Sequence, residues 1–182
     1  QCYLGLMYEK GHGVPKNEKA AVGWFTKAAV QGESKAIEYI RKASAQGDVQ
    51  AQYALGMMHA NGRGVSQNDA TAVECYRKAA DQGYATAQRD LGFLYKKGRG
   101  VPQDNTMAAC LFRKAADQGD AQSQDLLGVL YLDGCGVPQS NATAVRWFRK
   151  AADQGLARAQ CNLGIMYESG RAVSKSDETA AK

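Results

Sequence analysis

Proline is scarce in this chain, 3 residues in 182, while glycine is plentiful at 20 and aromatic residues make up only 8%. That balance suits short, tightly packed helices joined by glycine turns better than one large globular core. No alternating strand pattern competes with the helical ones. Long hydrophobic runs are missing too: nothing approaches the roughly 18 consecutive apolar residues of a membrane span, so membrane insertion is not expected. The first residues lack a basic then apolar secretory signal, but the chain starts in mid-repeat, so cytoplasm, periplasm and secretion all stay open.

Other chemistries are thinly supplied. The five cysteines, Cys2, Cys75, Cys110, Cys135 and Cys161, are an odd number at unmatched positions, which argues against disulfide stapling. Cys135, in a loop, is the candidate reactive thiol. Only His12 and His59 could act as imidazole ligands, and no metal set forms around them; no cofactor is expected. Gly98-Arg99-Gly100 follows a helical pattern rather than a strand, so it lacks the context of a phosphate loop. The net charge of +5 is mild and evenly spread.

What is present is a period. Gln-Gly falls at Gln82-Gly83, Gln118-Gly119 and Gln154-Gly155; Leu-Gly falls at Leu55-Gly56, Leu91-Gly92, Leu127-Gly128 and Leu163-Gly164; each step is 36 residues. One unit reads as helix, loop, helix. In "AQYALGMMHANG" the residues Ala51, Leu55, Met58 and His59 recur at helical spacing, with Leu55 taken as the centre of the buried face, and Gly62 ends the run. A Gly-x-Gly-Val loop follows, seen from Gly11, Gly62, Gly98 and Gly134. The second helix opens after Asn17, Asn68, Asp104, Ser140 or Ser176, all side chains able to accept from a first-turn N–H. Gly5, Gly56, Gly92, Gly128 and Gly164 sit inside first helices at a cost of about 0.5–1 kcal/mol each. Close approach of a slim second helix carrying Ala72, Ala79 and Ala80 is the expected compensation.

These motifs, Leu-Gly-x-x-Tyr, then Gly-x-Gly-Val, then Lys-Ala-Ala-x-Gln-Gly, resemble the Sel1-like repeat family, relatives of the tetratricopeptide repeats, over essentially the whole chain. The resemblance implies an all-α fold: a right-handed α-α superhelix, or solenoid, of 36-residue helix-loop-helix repeats. It implies an adaptor role in protein assembly, as in bacterial envelope, signalling or host-contact proteins and in eukaryotic membrane-protein degradation complexes. A single repeat domain over residues 1–182 is expected, with units near 1–32, 33–47, 48–83, 84–119, 120–155 and 156–182, the second and the last incomplete. The ends of such an array are expected to stack on further repeats or on another copy.

The copies can be compared with one another. Positions shared by all are scaffold, and variable columns facing away from Leu55 are candidates for contact with a partner. One column reads Cys2, Tyr53, Arg89, Asp125, Cys161; the next, apolar throughout, reads Leu6, Met57, Phe93, Val129, Ile165; the last reads Glu9, Ala60, Lys96, Leu132, Glu168. In related helical repeats the first helices line the concave face, so Tyr53, Met57, Ala60, Arg89, Phe93, Lys96, Asp125, Val129, Leu132, Cys161, Ile165 and Glu168 form the candidate surface for a protein or peptide. Inter-repeat packing is the competing explanation, favoured at Met57 and Val129. The Met57 column offers no Asn for a carboxylate clamp. The recurrent Arg-Lys pairs at Arg41, Arg77, Arg113 and Arg149 hardly vary, unlike residues that read nucleic acid, so they are assigned to the scaffold and no nucleic acid is expected. An alternative of another class, a β-lactam-binding or hydrolysing enzyme like the cysteine-rich branch of the family, needs a nucleophile with a base beside it, and no spacing here supplies one.

The stretch 33–47 breaks the rhythm. From Ala36, "AIEYIRKASAQG" aligns with "AVECYRKAADQG" from Ala72, yet a first helix and its loop, 21 residues, are missing before it. An odd helix would reverse the up-down alternation. The sequence therefore suggests either one long helix from about Ala20 to Gln46 or a gap between Ala36 and Ile37, and the gap is the reading adopted.

Overall fold

The computed structural model describes residues 1–170, and among these the regular structure is entirely helical. Ten helices follow in order: α1 (Cys2–Lys10), α2 (Glu18–Ala29), α3 (Ser34–Ala45), α4 (Val49–Asn61), α5 (Asp69–Asp81), α6 (Ala85–Lys97), α7 (Asn105–Asp117), α8 (Ala121–Asp133), α9 (Asn141–Asp153) and α10 (Ala157–Glu168). Contacts gather into two compact units, Gln1–Ala87 with Arg99–Pro102, and Gln88–Gly98 with Gln103 onward.

Capping follows the sequence. The side chains of Asn17, Asn68, Asp104 and Ser140 accept from the N–H groups of Ala20, Thr71, Met107 and Thr143 at 2.9–3.2 Å. The counterpart Ser176 lies outside the described residues. First helices carry caps of their own, Asp48 on Ala51 and Asp120 on Ser123 at 2.7 Å, that the repeat pattern did not bring out. Gly11, Gly62 and Gly134 close α1, α4 and α8 in the left-handed region, where a β-carbon is strained.

Four of the mid-helix glycines face rings rather than slim backbones, while Gly164 has nothing within 4 Å of a built β-carbon. A β-carbon on Gly56 would sit 2.6 Å from the Tyr76 ring, and one on Gly128 2.6 Å from that of Phe148; Gly5 and Gly92 meet Phe25 and Phe112 likewise. One aromatic side chain per second helix thus occupies the notch, and burying it offsets the helical cost of the glycine. The alanines, Ala72, Ala79 and Ala80 among them, line the same interface and are buried.

Neither resolution expected for residues 33–47 holds. α2 and α3 are separate helices with Gly32 at φ +89° between them, so no long helix forms. α3 runs unbroken through Ala36 and Ile37, and the Ile37 N–H donates to the Glu33 carbonyl at 3.0 Å, so the chain is continuous there. Ile40 stands where other second helices carry the notch-filling aromatic, and it is fully buried. Tyr39 stacks on Phe25 of α2 at 3.9 Å between ring centroids. Burial first, then the carboxylates of Glu9, Glu18 and Asp48, push its hydroxyl above the ordinary tyrosine range.

The extra helix turns the next repeat over. Elsewhere the second glycine of the loop lies on the N-terminal end of the preceding second helix: a β-carbon on Gly100 would overlap Asp69 and Ala70 of α5, and one on Gly136 would overlap Asn105 and Thr106 of α7. Gly64 instead lies on the C-terminal end of α2, against the Ala29 carbonyl. Short connections keep neighbouring helices antiparallel, so inserting one helix exchanges the end that the next loop meets.

Candidate functional site

The inner first helices are enclosed within their units: α4 packs on α5, α3 and α2, and α8 packs on α7 and α9. In α8 every residue from Ser123 to Gly128 is buried, as is Leu130. The columns facing away from Leu55 are therefore less open than helical spacing implies, and Leu55 itself is only half-buried while Ala51, Ala54 and Met58 form the core line of α4.

In the first unit, Tyr53, Met57 and Ala60 are half-buried. Tyr53 packs on Tyr76 and edge-on to Tyr84, with centroids 5.6 and 5.2 Å away. In the second unit, Phe93 is half-buried edge-on to Phe112, Lys96 is half-buried, and Val129 and Leu132 lie against the cluster of Val145, Phe148 and Met166. Along the apolar column exposure then rises to Ile165, 58% exposed, with Cys161 and Glu168 also exposed on α10.

Arg89 and Asp125 leave the candidate set. Asp125 is 0% exposed; one of its oxygens accepts from Arg158 at 2.5 Å and the other from Asn162 at 2.8 Å, so it ties α8 to α10. Arg89 is held by Asp90 at 3.1 Å and by Asp120, the cap of α8, at 3.0 Å. Both belong to the repeat interfaces, because a buried charge must be paired where it stands.

The repeated polar residues are consumed in the same way. In the second unit Arg113 donates to the Tyr131 hydroxyl, and Arg149 donates to that of Tyr167 at 2.6 Å, each 18 residues on. Lys27 and Lys150 lie over the rings of Trp24 and Trp147 at 4.3 and 4.4 Å, a cation–π contact three residues back. In the three Gln-Gly pairs spaced 36 residues apart, the Gln reaches its own repeat's first helix: Gln82 on Gln52, Gln118 on Gln88 and Gln154 on Gln124, all at 2.8 Å. Gln124 and Gln160 in turn donate to the carbonyls of Ala116 and Ala152 in the preceding second helix. This polar chain was visible in the sequence only as two glutamines 30 residues apart.

Loops add fixed contacts. Arg99 grips both oxygens of Asp69 at 3.0 and 2.7 Å, and that hydrogen bonding pushes its guanidinium above the ordinary range. His59, in the column of tyrosines, has Nδ1 3.2 Å from the Ser66 carbonyl. Cys135 is half-buried beside the Ala108, Phe112 and Leu130 cluster, so the accessible thiols are Cys110 and Cys161 instead. Burial pushes the Cys75 thiol up. Among the described residues no group of three or more His, Cys, Asp or Glu side chains could hold a metal, and no helix is long and apolar enough to cross a membrane.

Antiparallel helix pairs built on glycine notches and repeat-spanning glutamine contacts define a helical-repeat protein of the solenoid class. The chain belongs to the Sel1 repeat family, whose repeat matches residues 1–33, 30–48, 49–84, 85–120, 121–156 and 157–182. The short second match coincides with α3. Similar solved structures carry the same fold. A protective antigen present in uropathogenic Escherichia coli strains is 33% identical over 96% of this chain, with a TM-score of 0.78, and this chain spans 42% of its length. A Sel1 repeat protein from Oxalobacter formigenes is 37% identical, with 70% of this chain and 96% of the other covered and a TM-score of 0.65. Helicobacter pylori cysteine rich protein B is 27% identical, with coverage of 76% and 96% and a TM-score of 0.56. Among curated proteins none matches. Members of the family generally serve as protein-interaction scaffolds and are typically non-catalytic.

Proposed function

We propose that this chain is a protein-binding scaffold without catalytic chemistry of its own, and that the first helices of the second unit present the contact surface. The observation that carries it is the apolar column Phe93, Val129, Ile165, half-buried at its first two positions and open at the last, flanked by Lys96, Leu132, Cys161 and Glu168. Polar side chains common to the repeats are already engaged within the fold, which leaves shape and apolar contact as the means of recognition. Variation down the column, from Phe to Val to Ile, supplies distinct pockets for a peptide or an amphipathic helix. Tyr53, Met57 and Ala60 offer a lesser half-buried counterpart in the first unit.

A photo-crosslinking amino acid at position 165 tests this. Protein adducts should form in host extract from position 165 and not from Arg146, which is exposed on α9. Equal yields from the two positions would remove the surface from consideration.

A further inference from the structure

Four first helices have their glycine notch filled by a ring from the second helix of the same repeat, whereas Gly164 of α10 is exposed and nothing lies within 4 Å of its built β-carbon. The preceding repeat shows what is left open. Gln124 of α8 donates its amide to the Ala116 carbonyl and accepts at Oε1 from Gln154 of α9 at 2.8 Å. Gln160, its counterpart on α10, makes the first of these bonds, to the Ala152 carbonyl, and no hydrogen bond reaches its Oε1 among the described residues. Leu127 and Tyr131 pack with Trp147 of α9, while their counterparts on α10 are more open: Leu163 is half-buried and Tyr167 is 48% exposed. An empty notch, an unused amide oxygen and two apolar side chains therefore share one face of α10, at positions 160, 163, 164 and 167.

We infer that this face binds an amphipathic helix of a partner protein that carries an aromatic ring, small residues on either side of it and a glutamine six positions after the ring. α9 is the template. Its Phe148 ring fills the Gly128 notch, Ala144 and Ala151 are buried one turn to each side, and Gln154 follows six residues after the ring to reach the amide oxygen. The open face of α10 thus continues an interface that the molecule already builds, and shape and polarity together define what it accepts. Residues 171–182 contain neither an aromatic residue nor a glutamine. A second copy of the chain has no such ring to spare, since Phe25, Tyr76, Phe112 and Phe148 each sit at their own notch. The inference rests on the scaffold reading and gives its partner a form; Ile165 borders this face as Val129 borders Phe148.

Fluorescence anisotropy of the whole chain with a labelled peptide copying Ser140–Gly155 is the test. The peptide should bind saturably. Phe148→Ala in the peptide raises helix propensity while removing the ring, and it should weaken binding roughly tenfold or more; Gln154→Ala in the peptide should weaken it less. In the chain, Gly164→Ala should cause a comparable loss, because a β-carbon at the matching Gly128 would lie 2.6 Å from the Phe148 ring. Open space at Gly164 means that the same change should not lower the melting curve, so lost binding is not lost folding. Gly23→Ala, a change in the first unit, should bind like the parent. No binding, equal binding of the Phe148→Ala peptide, unchanged affinity in Gly164→Ala, or self-association of the chain that Gly164→Ala abolishes would each overturn the inference. Adducts from position 165 without peptide binding would remove this inference alone and leave the scaffold reading in place.

Discussion

A glycine inside a helix has opposite consequences depending on what its missing side chain would meet. Gly128 faces the buried Phe148 ring, so Gly128→Ala gains helix propensity of about 0.5–1 kcal/mol but overpacks by about 1–3 kcal/mol, and the net should be destabilising. Gly23, exposed in α2, has nothing within 4 Å of a built β-carbon, and Gly23→Ala should stabilise by about 0.5–1 kcal/mol. Urea melts of the two variants decide it: shifts of the same sign would refute the account of the notch. The sequence showed that the glycines recur, but their partner was misjudged, because both the alanines and the rings recur at helical spacing and only coordinates show which side chain enters the notch. Thiol accessibility was misread for a related reason. A loop position suggested exposure for Cys135, yet the loop folds back onto the helices it joins.

At the level of elements, pairing decides the fate of a charge. Asp125→Ala removes the acceptor shared by Arg158 and Asn162; Arg158 is partly exposed and can turn to water, so a loss of about 1–3 kcal/mol is expected. Asp125→Lys should cost about 3–5 kcal/mol, since a cation would then be buried opposite a guanidinium. Melting temperatures measure both, and an unchanged value in Asp125→Lys would return this residue to the exposed face. The column containing Asp125 varies between copies, which alone suggested a recognition site. Variation was real, but it serves inter-repeat ties: at this position Arg89 and Asp125 make opposite-signed bridges to different partners, and Tyr53 makes an aromatic one. Half of a variable column is thus legible as surface only after burial is known.

For the molecule as a whole, the decisive feature is the lone helix α3. Deleting residues 33–47 joins Gly32 to Asp48 and restores the 36-residue step between Leu4-Gly5 and Leu55-Gly56. The shortened chain should keep a cooperative melt, because each repeat contacts mainly its neighbours and a regular junction replaces an irregular one. In it Gln52, which now donates to the Ser44 carbonyl, would meet Ala29, as Gln124 meets Ala116. Loss of cooperativity on scanning calorimetry would show instead that α3 is indispensable to the first unit. The period, the caps, the loops and the helical class were determined by the sequence itself, because each depends on residues within one turn or one repeat. Which end of α2 the next loop meets and which polar columns are sealed were decided by tertiary structure. They depend on the direction of a helix, and one extra helix reverses direction without altering any local pattern.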